Sequence, residues 1–92
     1  MKFEWDEAKN RANIAKHNLS FHEAAKAFRD KNAIYAPDKL HSTKNEERLF
    51  CIGKIAGDVA TVVFTVRKDK IRIISAGYYR KERSRYEKRN KK

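Results

Sequence analysis

Three strand-like runs separated by almost nothing limit what this chain can fold into. RLFCIGKIA (48–56) meets Gly57-Asp58, then VATVVFTV (59–66), then Lys68-Asp69, then IRIISA (71–76). Val, Ile, Thr and Phe dominate the runs, and such residues pack best on a half-buried pleated surface. Links this short cannot hold a crossover, so the runs predict an antiparallel meander. Ala33-Ile34-Tyr35 adds a brief strand before Pro37-Asp38, and APDKLHSTKNEE (36–47) is the one long polar loop. MKFEW (1–5) alternates polar and apolar residues, which suits a short strand or a hydrophobic lead-in.

Helical signals flank the meander. Asp6 is a good N-cap for EAKNRANIAKH, in which Ala8, Ala12, Ala15 and Leu19 fall near helical spacing and predict the buried face. Asn18 can adopt the left-handed conformation that stops a helix. Ser20-Phe21-His22-Glu23 reads as a capping box, and Phe21, Ala24, Ala25 and Phe28 form the stripe of a second helix. Residues 79–89 have a helical composition, with Tyr79, Glu82, Arg83 and Tyr86 on one face and Lys81, Arg85 and Lys88 on another. The order predicts one α+β domain over 1–92: two N-terminal helices, an antiparallel sheet of three or four strands, and a basic C-terminal helix. With both first helices on one sheet face, the other is expected to stay partly open.

Charge narrows the function. The net charge is +11, and residues 1–46 hold 9 basic and 7 acidic side chains against 14 and 5 in residues 47–92. Eight Lys or Arg fall within the last thirteen positions. Such asymmetry points to a polyanion, either nucleic acid or an acidic protein. No run has the length of a membrane span and MKFEWDEAK has no signal-peptide character, so a cytoplasmic protein is expected. The single cysteine, Cys51, sits in LFCIG and reads as a small buried hydrophobe.

Few residues offer chemistry. His17, His22 and His41 lack zinc spacing, and no compact Asp/Glu set suggests magnesium, so no metal or other cofactor is expected. His17 ends the first helix, where a cation favours the helix dipole. His41 lies in the polar loop near Glu46, Glu47 and Arg48 as a proton-transfer candidate or a solvated loop residue. Arg67 closes the central strand, and Arg48 and Arg72 lie in strands. Each can place a planar charged fork beside a phosphate. Metal-free RNA cleavage fits this supply: a base takes the ribose 2′-OH proton, arginines stabilise the added charge, and an acid protonates the leaving 5′-oxygen. Arg67 and Arg83 are the charge stabilisers in this reading. The acid and base stay open among Glu82, His17, His41, Tyr86 and the lysines. Arg48, Arg72, Arg80, Lys81 and Arg85 are the RNA-binding candidates. A non-catalytic RNA- or ribosome-binding module, or a subunit for an acidic partner, would use the same charge.

FEWDEAKNRANIAKHNLSFHEAAKAF (3–28), Glu47-Arg48, TVR (65–67), RIISA (72–76) and RKERSRYE (80–87) together resemble the BrnT family of toxins. The resemblance implies a RelE-like α+β fold and a ribonuclease activity that arrests translation. It also implies a BrnA-type antitoxin that binds toxin and DNA and represses the shared operon. Carried over, it supports Arg67, Glu82, Arg83, Tyr86 and His17 as catalytic. Where the family often reads KHG, this chain has Lys16-His17-Asn18. Where the family often reads ISAR, it has Ser75-Ala76-Gly77, leaving Arg80 as the arginine to stand in.

Overall fold

A computed structural model describes residues 1–91. The meander is present as β3 (Leu49–Ile55), β4 (Asp58–Arg67) and β5 (Lys70–Gly77), paired antiparallel. Its first turn uses Ala56 and Gly57 at φ 48° and 93°, its second Lys68 and Asp69 at 46° and 69°. Positive φ at consecutive turn residues matches the right-handed twist of a tight hairpin.

The sheet is larger than three or four antiparallel strands. β2 (Ile34–Pro37) pairs antiparallel with β3, and β1 (Lys2–Glu4) pairs parallel with β5. The result is a five-stranded mixed sheet in the order β1-β5-β4-β3-β2. Only three residues of MKFEW pair, with Phe3 opposite Ile71 and Glu4 opposite Arg72. The alternation of MKFEW suits this short strand, but its partner lies far along the chain.

One face of the sheet is dry. Cys51, Ala60, Val62, Phe64, Ile73 and Ala76 meet Leu19, Phe21, Ala24 and Ala27 from the helical layer. Ile73 and Ala76 both reach this core because the register shifts between Val63 and Phe64, which leaves Ile74 unpaired as a bulge. In a regular strand of the same sequence, Ala76 would lie on the side of Arg72. Gly53 permits the close approach of the helical layer: a Cβ there would stand 2.5 Å from the Ala27 carbonyl oxygen. Cys51 is fully buried, and burial pushes its thiol up to about 12.

The helical layer consists of α1 (Glu7–His17) and α2 (Phe21–Ala24), the latter continuing as a 3-10 turn through Arg29. The N-caps and the helix stop form where expected. Only one half of the capping box does, since the Glu23 carboxylate accepts from Lys26 Nζ at 3.1 Å instead of reaching back to Ser20. Lys9 N–H donates to Asp6 Oδ1 at 3.1 Å, Asn18 stops α1 at φ 54°, and Glu23 N–H donates to Ser20 Oγ at 3.0 Å. The expected buried face of α1 does not form. Ala8, Ala12 and Ala15 are exposed, whereas Asn10 and Asn13 are the buried residues of this helix. Asn13 Nδ2 donates to the Leu19 carbonyl at 2.8 Å and Asn13 Oδ1 accepts from Ala76 N–H at 3.1 Å. Asn10 Oδ1 accepts from Phe21 N–H at 2.8 Å. The helix is held by polar bonds to the corner and to β5, and small alanines are left to water.

α3 (Arg80–Arg89) closes part of the opposite face, packing on β3 and β4. Its anchor is Tyr86, 5% exposed, set among Ile34, Ile52 and Val59. The Tyr86 hydroxyl donates to Asp30 Oδ2 at 2.5 Å, and Asp30 also accepts from Lys54 N–H at 2.8 Å and Asn32 N–H at 2.9 Å. Partial burial opposes the Asp30 charge, but these hydrogen bonds outweigh it and hold the carboxyl below its usual 3.8. Burial, then the bond to Asp30, pushes Tyr86 up to about 12 from 10.0.

The two shifts set opposite pH limits on the same link. The Tyr86 contribution is complete below pH 10 and is lost as pH rises towards 12, because the folded state holds the proton longer. The Asp30 contribution is complete above its unfolded value near 3.8 and is lost as pH falls through its lower folded value. Tyr86→Phe is expected to cost about 1.5–3 kcal/mol at pH 7, the worth of a hydrogen bond to a charged group. Urea unfolding at pH 7 and pH 11 checks this. The gap between wild type and variant should narrow at the higher pH, and an equal gap would refute the link.

Candidate active site

The polar loop is ordered by its own side chains. Asp38 N–H donates to the Arg48 carbonyl at 2.8 Å, closing the loop at its base. Ser42 Oγ donates to the Asp38 carbonyl at 2.8 Å and accepts from Arg48 N–H at 2.9 Å. Thr65 Oγ1 on β4 donates to the Glu47 carbonyl at 2.7 Å and ties the loop to the sheet. Ordered loops of this kind present functional side chains on a rigid support.

Across the sheet from this loop stands α3, and a cleft of about 340 Å³ lies between them. Phe50, Thr61, Val63 and Ser75 of the sheet line it, with Asp38, His41 and Arg48 from the loop and Tyr79 and Glu82 from the α3 side. Asp38 is 3% exposed and its carboxylate meets His41 Nδ1 at 2.9 Å and 3.1 Å. A carboxylate can only accept, so Nδ1 carries the proton and Nε2 is the nitrogen left to exchange one with a bound molecule. Arg48 Nε donates to Glu46 Oε1 at 3.0 Å, which steadies the guanidinium beside the cleft. Glu82 is half-buried and makes no hydrogen bond or ion pair among the described residues. Thr61 Oγ1 is, among the described residues, the one buried side-chain polar atom without a partner. A buried hydroxyl in that state costs free energy until a bound group satisfies it.

The other expected site residues disperse. Arg80 and Arg83 line a second groove of about 440 Å³, next to the cleft and sharing Tyr79 with it. Arg67 lies at the opposite end of β4 from Asp58, which lines that groove, in a cavity with Lys68, Lys70 and Glu4. Ten strand residues span about 30 Å, so Arg67 and Arg83 do not meet at one phosphate. Arg72 sits between these ends, with Nη1 3.5 Å from Glu4 Oε2. Tyr86 is committed to packing and to Asp30. His17 stands edge-on to Tyr79 at 5.9 Å between ring centroids and does not line the cleft. Lys81 and Arg85 are exposed and line neither hollow. Among the described residues, no three His, Cys, Asp or Glu side chains form a group able to hold a metal ion.

Sequence reasoning missed Asp38 as the partner of His41 and looked to Glu46 and Glu47 instead. The available signal was the three-residue spacing from Asp38 to His41 across a turn. Thr61, in a strand of apolar neighbours, gave none.

The description of the ribonuclease toxin BrnT of type II toxin–antitoxin systems matches residues 5–82. The chain belongs to the BrnT family. Membership makes it a ribonuclease toxin with an RNA target and an antitoxin partner. No curated protein matches the sequence. The BrnT match includes the whole loop with His41, and it ends at Glu82. Arg83, Arg85 and Tyr86 lie beyond it.

Proposed function

We propose that this BrnT-family toxin is an endoribonuclease that cleaves RNA in the cleft between loop 38–48 and α3 without a metal ion. Glu82 takes the proton from a ribose 2′-OH. The 2′-oxygen bonds to the adjacent phosphorus as the bond from phosphorus to the 5′-oxygen breaks. His41, held by Asp38, gives its Nε2 proton to that leaving oxygen. Arg48 stabilises the charge that develops on the phosphoryl oxygens. Products are a 2′,3′-cyclic phosphate and a 5′-hydroxyl.

One observation carries this reading: two proton-transfer side chains and an arginine converge on a single cleft whose floor holds an unsatisfied hydroxyl. Arg67, beside Glu46 and Glu47 of the same loop, then serves with Lys68 and Lys70 as a phosphate contact outside the cleft, positioning RNA without taking part in the chemistry. That placement favours a second reading, a non-catalytic RNA- or ribosome-binding module, since a charged end outside the cleft needs no catalysis to bind.

The wider reading follows family membership. The whole chain is one RelE-like toxin domain acting in the cytoplasm. Cleavage arrests translation, and a BrnA-type, DNA-binding antitoxin neutralises the toxin. Purified RNA incubated with the protein in EDTA decides the core of the proposal. Fragments ending in cyclic phosphate are expected, with roughly a hundredfold loss in Glu82→Gln, the scale of a general acid–base contribution. No cleavage of either purified RNA or RNA on translating ribosomes would leave the binding module.

A further inference from the structure

The groove beside the cleft has the composition of a nucleotide site. Asp58, Val59, Tyr78, Tyr79, Arg80 and Arg83 line it. Tyr78 and Tyr79 are 45% and 43% exposed and adjacent in the chain. Paired exposed aromatics beside arginines recur where single-stranded nucleic acid binds, since every base has a face to stack and each nucleotide carries a phosphate.

Tyr79 holds its place because of Gly77. A Cβ at residue 77 would meet the Tyr79 hydroxyl at 2.8 Å and its ring carbons at 2.9 Å. The ring therefore lies against bare backbone, and a side chain at 77 would displace it. Tyr79 in turn forms the wall common to groove and cleft. A strand of RNA crossing that wall would place neighbouring nucleotides in the two hollows.

We propose that the groove binds the nucleotide next to the scissile phosphate of single-stranded RNA, its base against Tyr78 and Tyr79 and its phosphate on Arg80 and Arg83; this rests on the ribonuclease reading of the adjoining cleft. Asp58 sets the orientation. Its carboxylate repels phosphate but accepts N–H groups from a base edge, so the base takes the tyrosine end. Arg83 Nε is bonded to Glu87 Oε2 at 3.2 Å, an exposed pair one turn apart on α3. Such a pair contributes little and yields to a phosphate.

The test is binding of a fluorescent single-stranded RNA hexamer bearing 2′-O-methyl groups, followed by anisotropy at several salt concentrations. The blocked 2′-oxygen cannot attack, so the probe reports the groove whether or not the cleft is catalytic. Tyr78→Ala is expected to weaken binding roughly tenfold, the scale of one lost stack, while Tyr78→Phe keeps it. Arg83→Ala is expected to weaken binding and lower the salt slope by about 0.7, one phosphate contact on a single strand. Lys81→Ala, which removes the same charge outside the groove, should cost less than Arg83→Ala. Tyr78→Ala binding like wild type, equal losses from Arg83→Ala and Lys81→Ala, or no binding by wild type would each overturn the proposal. Failure of the ribonuclease reading looks different: the groove variants lose affinity while unmodified RNA stays intact.

Discussion

His41→Ala is expected to lower kcat/KM for RNA by about 10²–10⁴-fold, the range for removing a positioned general acid. His41→Ala also takes the imidazole away from the nearly buried Asp38 carboxylate, so some loss of stability in urea is expected and the rates are compared on folded protein. Asp38 orients the imidazole through Nδ1 at 2.9 Å and is itself almost fully buried. Asp38→Asn replaces an obligate acceptor with a group that can also donate, which allows the wrong tautomer and should forfeit a large part of the same factor. Cleavage by His41→Ala within threefold of wild type would remove this residue from the mechanism and leave Glu82 and Arg48 without an acid partner.

How much of this was legible in the sequence depended on range. The meander, both helix caps, the Asn18 stop and the α3 helix are each specified by residues within a few positions of one another, and all of them formed. MKFEW allowed β1 only as one of two alternatives, and its pairing was not specified, because its partner β5 lies almost seventy residues on. The site divides the same way. Arg48 and Glu82 were named for their type and lie in the cleft. Arg67 and Arg83 were joined because both are arginines near strand or helix ends, a rule with no information about which end of β4 each occupies. Tyr86 has the right face of α3 to be catalytic or to pack, and only the position of Asp30 decides for packing. His41 was named, but its meaning depends on Asp38, whose burial is a product of the whole loop.

The least legible element was the buried face of α1, and it carries the second large effect. Alanines at helical spacing suggested an apolar stripe, yet a helix docks wherever its contacts yield most. Here two asparagines satisfy backbone groups at the turn into α2 and on the edge of β5 past its short pairing with β1. Asn13→Ala leaves the Leu19 carbonyl and the Ala76 N–H buried and unpaired. At about 1–3 kcal/mol for each stranded group, the expected loss is about 2–6 kcal/mol, a large share of the stability of a chain this size. Asn13→Leu should be no rescue, since an apolar side chain supplies neither donor nor acceptor. Ala12→Ser, one position away on the exposed face, is expected within about 0.5 kcal/mol of wild type. Urea unfolding of the three variants tests the claim, and a loss below about 1 kcal/mol in Asn13→Ala would mean that water or a shifted helix serves those groups instead. The same bonds reach the site. Ala76, held by Asn13, lies between Ser75 on the cleft floor and Gly77 beneath Tyr79, so an unpinned β5 should loosen both hollows, and the folded fraction of Asn13→Ala should also bind the hexamer less tightly.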